Sequence, residues 1–221
     1  VLRTAITQNH NFSVTGGTPA AQYFISANYK NEEGIVLSTG FEQMGGRAKI
    51  DVKHNKLGFG ANVSFTHSKY DLVPTEDRYS NETILSTALG MLPSYPVYNE
   101  DGSYNFDQYT LNHGIPNLIN PVALAKERKD KMKRNRILVN LYAEYEFIKN
   151  LKLKSSFGAD YNSYRRNIFR PSTLPTSVNQ TPPSIPTGES RTKDVLNWVW
   201  ENTLSYHTMI NKDHRLSGIM G

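Results

Sequence analysis

The chain has 221 residues, with 38% hydrophobic content, a mean hydropathy of −0.55 and a formal net charge of +5. It contains no cysteine, which excludes disulfides, thiolate metal sites and a Cys nucleophile. No run approaches the ~18 apolar residues of a membrane-spanning helix, although strands that present only every second residue to lipid escape that test. The chain opens Val1-Leu2-Arg3 with neither an initiator Met nor a signal peptide, so further sequence is expected upstream.

Runs with two-residue periodicity follow one another along the chain, and such alternation marks half-buried strands. Phe12 and Val14 begin the first, which ends at the turn Gly16-Gly17-Thr18-Pro19; Tyr23, Ile25, Ala27 and Tyr29 mark the second. An excursion from Asn31 to Gly40 leads to Ala48, Ile50 and Val52, then to the tight turn His54-Asn55-Lys56. In Leu57 to Thr66 every odd position is apolar and every even one small or polar. The long excursion from Asp71 to Arg134 holds a predicted helix over Asn81–Gly90, with Asn81 as N-cap and Gly90 as stop, then the aromatic, Pro-rich Pro93-Ser94-Tyr95-Pro96-Val97-Tyr98. Ile137, Val139, Leu141, Ala143, Tyr145 and Phe147 form the clearest strand. The turn Lys149-Asn150 precedes Leu151, Leu153, Phe157, Ala159 and Tyr161. After Pro171 to Arg191 come Leu196, Trp198, Trp200, Leu204 and Tyr206, the turn Asn211-Lys212-Asp213 and a last strand over Leu216 to Gly221.

Short and long connections therefore alternate strictly. A soluble sandwich has no reason to sort its connections by length, whereas an outer-membrane barrel has short periplasmic turns and long extracellular loops. Several runs reach roughly 12 to 16 residues, beyond the 5 or 6 usual in globular sheets. The expected fold is all-β: an antiparallel transmembrane β-barrel segment of about eight strands. Arg47, Lys49, Asp51 and Lys53, Glu144 and Glu146, and Lys152, Lys154 and Asp160 would face a wet lumen. With short turns in the periplasm, both chain ends lie at the extracellular face and at least one further strand is expected before Val1 and after Gly221. The whole chain then reads as part of one barrel domain, with residues 71–134 as a long extracellular loop.

Little in the chain suggests catalysis. His10, His54, His67, His113, His207 and His214 are scattered, without the i, i+4 spacing of a helical zinc site. Asn99-Glu100-Asp101-Gly102-Ser103 hints at a calcium loop but lacks the alternating ligands and distal Glu, so a β-turn is the better reading. Glu144 and Glu146 resemble a glycosidase pair only in spacing, and luminal lining accounts for them. No enzyme activity, metal or cofactor is expected. Positive charge concentrates in Lys126-Glu127-Arg128-Lys129-Asp130-Lys131-Met132-Lys133-Arg134. Its acids and lack of interleaved aromatics favour a solvated loop limb over a nucleic-acid patch, with lipopolysaccharide phosphates as a third possible partner. The best candidate contact residues are Tyr95, Tyr98, Asn99, Asp101, Tyr104, Phe106 and Tyr109. Aromatic faces stack on sugar rings while amides and carboxylates meet hydroxyls; the competing reading is that the rings pack the loop on itself or against a protein lid.

Six segments carry a family likeness. Gln8-Asn9-His10-Asn11-Phe12-Ser13-Val14-Thr15-Gly16-Gly17-Thr18, with Tyr23-Phe24-Ile25-Ser26 and Glu32-Glu33-Gly34-Ile35-Val36 after it, resembles SusC/RagA-type TonB-linked outer-membrane receptors of Bacteroidota near the start of their barrel. Asn120-Pro121-Val122-Ala123-Leu124, Asn140-Leu141-Tyr142-Ala143-Glu144-Tyr145 and Ser155-Ser156-Phe157-Gly158-Ala159-Asp160-Tyr161 fit the same family. The resemblance implies a plugged barrel of about 22 strands in the Gram-negative outer membrane. It implies a SusD-like surface lipoprotein as lid, and import of oligosaccharides or oligopeptides driven by TonB-ExbB-ExbD through an N-terminal part not present in this sequence.

Overall fold

The computed structural model describes residues 1–74, 83–106, 118–175, 182–210 and 214–221. Eight strands form one antiparallel sheet in chain order: β1 (Thr7–Gly17), β2 (Ala21–Glu33), β3 (Gly40–His54), β4 (Leu57–Leu72), β5 (Lys129–Ile148), β6 (Leu151–Arg170), β7 (Thr187–Ile210) and β8 (His214–Met220). Two short helices, α1 (Ile84–Gly90) and α2 (Pro121–Glu127), interrupt the run between β4 and β5. The turns have local causes. Asn55 and Asn150 take positive φ (54° and 72°) in the β3–β4 and β5–β6 hairpins, a conformation that Asn tolerates better than most residues.

The registers turn the sequence alternation into continuous rows. Val14, Ile25, Ala48, Val63, Val139, Ala159 and Trp198 lie side by side across seven strands. Phe12, Ala27, Gly46, Phe65, Ile137, Tyr161 and Leu196 form the neighbouring row on the same face. The row between them on the other face reads Ser13, Ser26, Arg47, Ser64, Leu138, Asp160 and Asn197. Nothing among the described residues packs on the apolar face: Phe12 is 67% exposed and Trp198 66%. On β5 the apolar set runs from Ile137 to Phe147, about 33 Å along a strand at ~3.3 Å per residue. Tilted by 35–45°, that length covers a height of about 25 Å, the depth of a lipid-facing band in outer-membrane barrels.

The other face is polar and locally braced. Arg136 holds Asp160 through two bonds of 2.9 and 2.7 Å, and Lys49 meets Asp51 at 2.7 Å. Tyr142 reaches across β4 to donate to Asp51 at 2.8 Å. Its ring covers Gly60, where a Cβ would stand 2.0 Å from the ring edge; a glycine in a strand interior marks such a close approach.

Several boundaries differ from the sequence expectation, and the excursion expected over residues 31–40 is confined to 34–39. The excursion predicted over residues 71–134 is confined to 73–128, and that over 171–191 to 171–186. Lys129 to Arg134, expected as a loop limb, are strand: all six pair Phe169 to Tyr164 on one side, and Asp130 to Arg134 pair Leu72 to Ser68 on the other. Charge does not oppose an extended chain whose neighbours supply both hydrogen-bond partners. The helix begins at Ile84 rather than Asn81, with Thr83 in the N-cap position making no side-chain cap bond. Asn81 and the turn Asn211-Lys212-Asp213 lie outside the described residues.

Candidate functional site

The sheet's own apolar side chains are mostly open, and the buried apolar cluster sits in the long connections instead. Val36 comes from the β2–β3 connection, Val73, Ile84, Ile119, Ala123, Leu124 and Ala125 from the β4–β5 excursion, and Leu174 from the β6–β7 connection. Tyr104 and Phe106 pack against this cluster from the side, as do Val1 and Leu37. Three connections thus share one small core at the same end of the sheet.

Asn120, 2% exposed, ties the excursion together. Its Oδ1 accepts from the backbone N–H groups of Val122 (3.1 Å) and Ala123 (3.2 Å), capping α2. Its Nδ2 donates to the carbonyls of Val97 (2.7 Å) and Asn105 (3.1 Å). Two donors and an acceptor oxygen with two lone pairs are all that an Asn amide offers, and every one is used. Pro121 follows at the first helical position, where its missing N–H costs nothing.

The strand-like pieces held by Asn120 form a small hairpin in which Tyr98 pairs with Tyr104. Its tip is the predicted β-turn: Gly102 N–H donates to the Asn99 carbonyl at 3.0 Å, and Gly102 takes φ 81°. The Ser103 hydroxyl and N–H both donate to Asp101, at 2.6 and 2.9 Å, holding its carboxyl below the usual carboxylate range. Asn99 Nδ2 donates to the Ser103 hydroxyl at 2.9 Å.

The candidate contact residues divide accordingly. Tyr104 packs between Tyr98 (5.3 Å) and Phe106 (6.3 Å) with tilted rings, and burial, then the charge of Glu127, raises its hydroxyl pKa. Tyr95 donates to Asn105 Oδ1 at 3.2 Å. Tyr95, Tyr104 and Phe106 therefore brace the loop. Tyr98, Asn99 and Asp101 remain exposed at the tip, with Lys126 Nζ donating to the Tyr98 hydroxyl at 3.2 Å. Tyr109 lies outside the described residues. Beneath this cap, Arg166 clamps Asp130 through bonds of 2.8 and 2.6 Å, with the Asp130 side chain 2% exposed.

No protein-family model matches the chain. It is 32% identical to a TonB-dependent receptor of Formosa agariphila, over 100% of this chain and 21% of that protein. It is 26% identical to TonB-dependent receptor SusC of Bacteroides thetaiotaomicron, over 73% of this chain and 17% of that one. Its fold superposes on a solved structure of the RagAB peptide transporter with a TM-score of 0.80 at 23% identity, covering 99% of this chain and 24% of that one. The chain belongs to the SusC/RagA family of TonB-dependent receptors. It spans about a fifth of the length of the curated relatives it matches.

Within this SusC/RagA chain, one segment that carried the likeness, Asn120 to Leu124, is the segment that caps and builds α2. It lies inside the excursion expected as loop, where the structure has a helix. An Asn followed by Pro ahead of an apolar run is an N-cap signature, and that signal was available; the hairpin partners Val97 and Asn105 were not, because nothing local announces them.

Proposed function

We propose that this chain forms part of the barrel wall of an outer-membrane importer, with the loop-bearing rim outside the cell and the short turns in the periplasm. The observation that carries this reading is the sheet itself. One face is a continuous apolar band of about 25 Å with no protein layer over it among the described residues, the other is polar and ion-paired, and the long connections gather at one end. The family supports energy coupling through TonB and a SusD-like lipoprotein lid over the rim. The cargo in this reading is an oligosaccharide or oligopeptide, the latter in keeping with a peptide transporter of similar fold. The hairpin tip at Tyr98, Asn99 and Asp101 is suited to touch cargo or lid, because these three residues are exposed while Tyr95, Tyr104 and Phe106 hold it in place.

Uptake of labelled oligosaccharides and oligopeptides by cells carrying the receptor that contains this chain tests the reading. Uptake that stops when the proton-motive force is collapsed or TonB removed supports an energised importer. Uptake indifferent to both would make the barrel a passive pore, and binding without uptake would make it an adhesin.

A further inference from the structure

The outward face carries an unusual row just above its apolar band. Lys69 on β4, Lys133 on β5 and Arg165 on β6 are direct register partners, on the same face as Phe65, Ile137 and Tyr161. Like charges directly opposite on adjacent strands destabilise a sheet, so three in a row call for a compensating anion. The protein supplies only part of it. Glu42 takes Lys69 at 3.3 Å, and Asp71 takes Lys131, in the next row up, at 3.4 Å. Asp194 lies one row lower and accepts from the Tyr161 hydroxyl at 3.2 Å. Lys133 and Arg165 are both exposed and meet no carboxylate among the described residues.

The height of the row identifies the anion. Lys133 stands four residues beyond Ile137, about 13 Å along the strand and about 10 Å above the last apolar row at a 35–45° tilt. That is where the headgroup layer lies, outside a hydrocarbon core of ~30 Å in a bilayer of ~40–45 Å. Arg165 offers a planar fork suited to a phosphate and Lys133 a point charge beside it.

We infer that Lys133 and Arg165, flanked by Lys69, form a binding site on the outer wall of the barrel for the phosphate of an outer-leaflet glycolipid of the lipid A type. This rests on the membrane orientation proposed above. The row does not serve the lumen and is independent of cargo.

The test uses the intact receptor, purified in detergent, with phosphorylated lipid A, its dephosphorylated form and inorganic phosphate as probes. Wild type should bind phosphorylated lipid A, and the Lys133→Gln/Arg165→Gln double variant should bind it at least roughly tenfold more weakly, as expected when charge-assisted bonds are lost. Removing two like charges should not impair folding, so the lipid-free double variant should melt no lower than wild type. Arg134→Gln, one residue away on the opposite face, should bind like wild type. Equal binding by wild type and the double variant overturns the site, as does equal affinity for dephosphorylated lipid A. Binding of inorganic phosphate without the lipid also overturns it. If Arg134→Gln loses binding while the double variant keeps it, the faces are inverted and the proposed orientation fails instead.

Discussion

Replacing Asn120 with Ala tests whether one side chain holds the rim. The change removes the acceptor of the Val122 and Ala123 amides, a helix cap worth about 1 kcal/mol. It also removes two bonds to the 97–105 hairpin, each worth about 1 kcal/mol net. Val97 keeps the backbone bond from Asn105 at 3.0 Å, so its carbonyl is not stranded and the sum stays near 3 kcal/mol. The cost is local, because β4 and β5 are held by sixteen paired positions of their own. Hydrogen exchange on the receptor containing this chain should therefore show protection falling by roughly a hundredfold in the hairpin and at Val122 and Ala123, with β4 and β5 unchanged. Asn120→Ser separates the parts: it keeps a capping oxygen but loses both donors, so the hairpin should loosen while the α2 amides stay protected. A loss under threefold in the alanine variant, or equal loosening in the strands, would refute the reasoning.

Three further outcomes follow from named contacts. Val63→Arg or Val139→Arg should cost about 2–4 kcal/mol at mid-bilayer and reduce folded barrel in the membrane fraction, whereas Ser64→Arg should not; equal effects would mean the lipid face is misassigned. Arg166→Met strands the buried Asp130 and should cost about 3–5 kcal/mol, while Arg136→Met removes a more exposed pair and should cost no more than about 1 kcal/mol, a contrast read by thermal unfolding in detergent. A tag inserted beside Asp101 should be reachable by antibody on intact cells; reaction only after the outer membrane is permeabilised would invert the topology.

Sequence by itself determined the class of this protein, its two faces and its short turns within the described residues, because each depends on near neighbours. A strand shows its period within a few residues, and Asn55 or Asn150 needs only its own backbone to make a turn. Once consecutive strands pair through tight hairpins, the Val14-to-Trp198 row follows almost automatically. Strand ends were less legible. Lys129 to Arg134 read as loop from their charge, yet β4 and β6 on either side supply partners for their backbone, and pairing outweighs composition. The rim was decided by tertiary structure. Its core joins Val36, Leu124 and Leu174, residues with no common local pattern, and the same contacts assign Tyr104 and Phe106 to bracing while leaving Tyr98 and Asp101 at the surface. An aromatic in a loop looks the same in sequence whether it packs or recognises; only the side chains brought against it from distant segments distinguish the two.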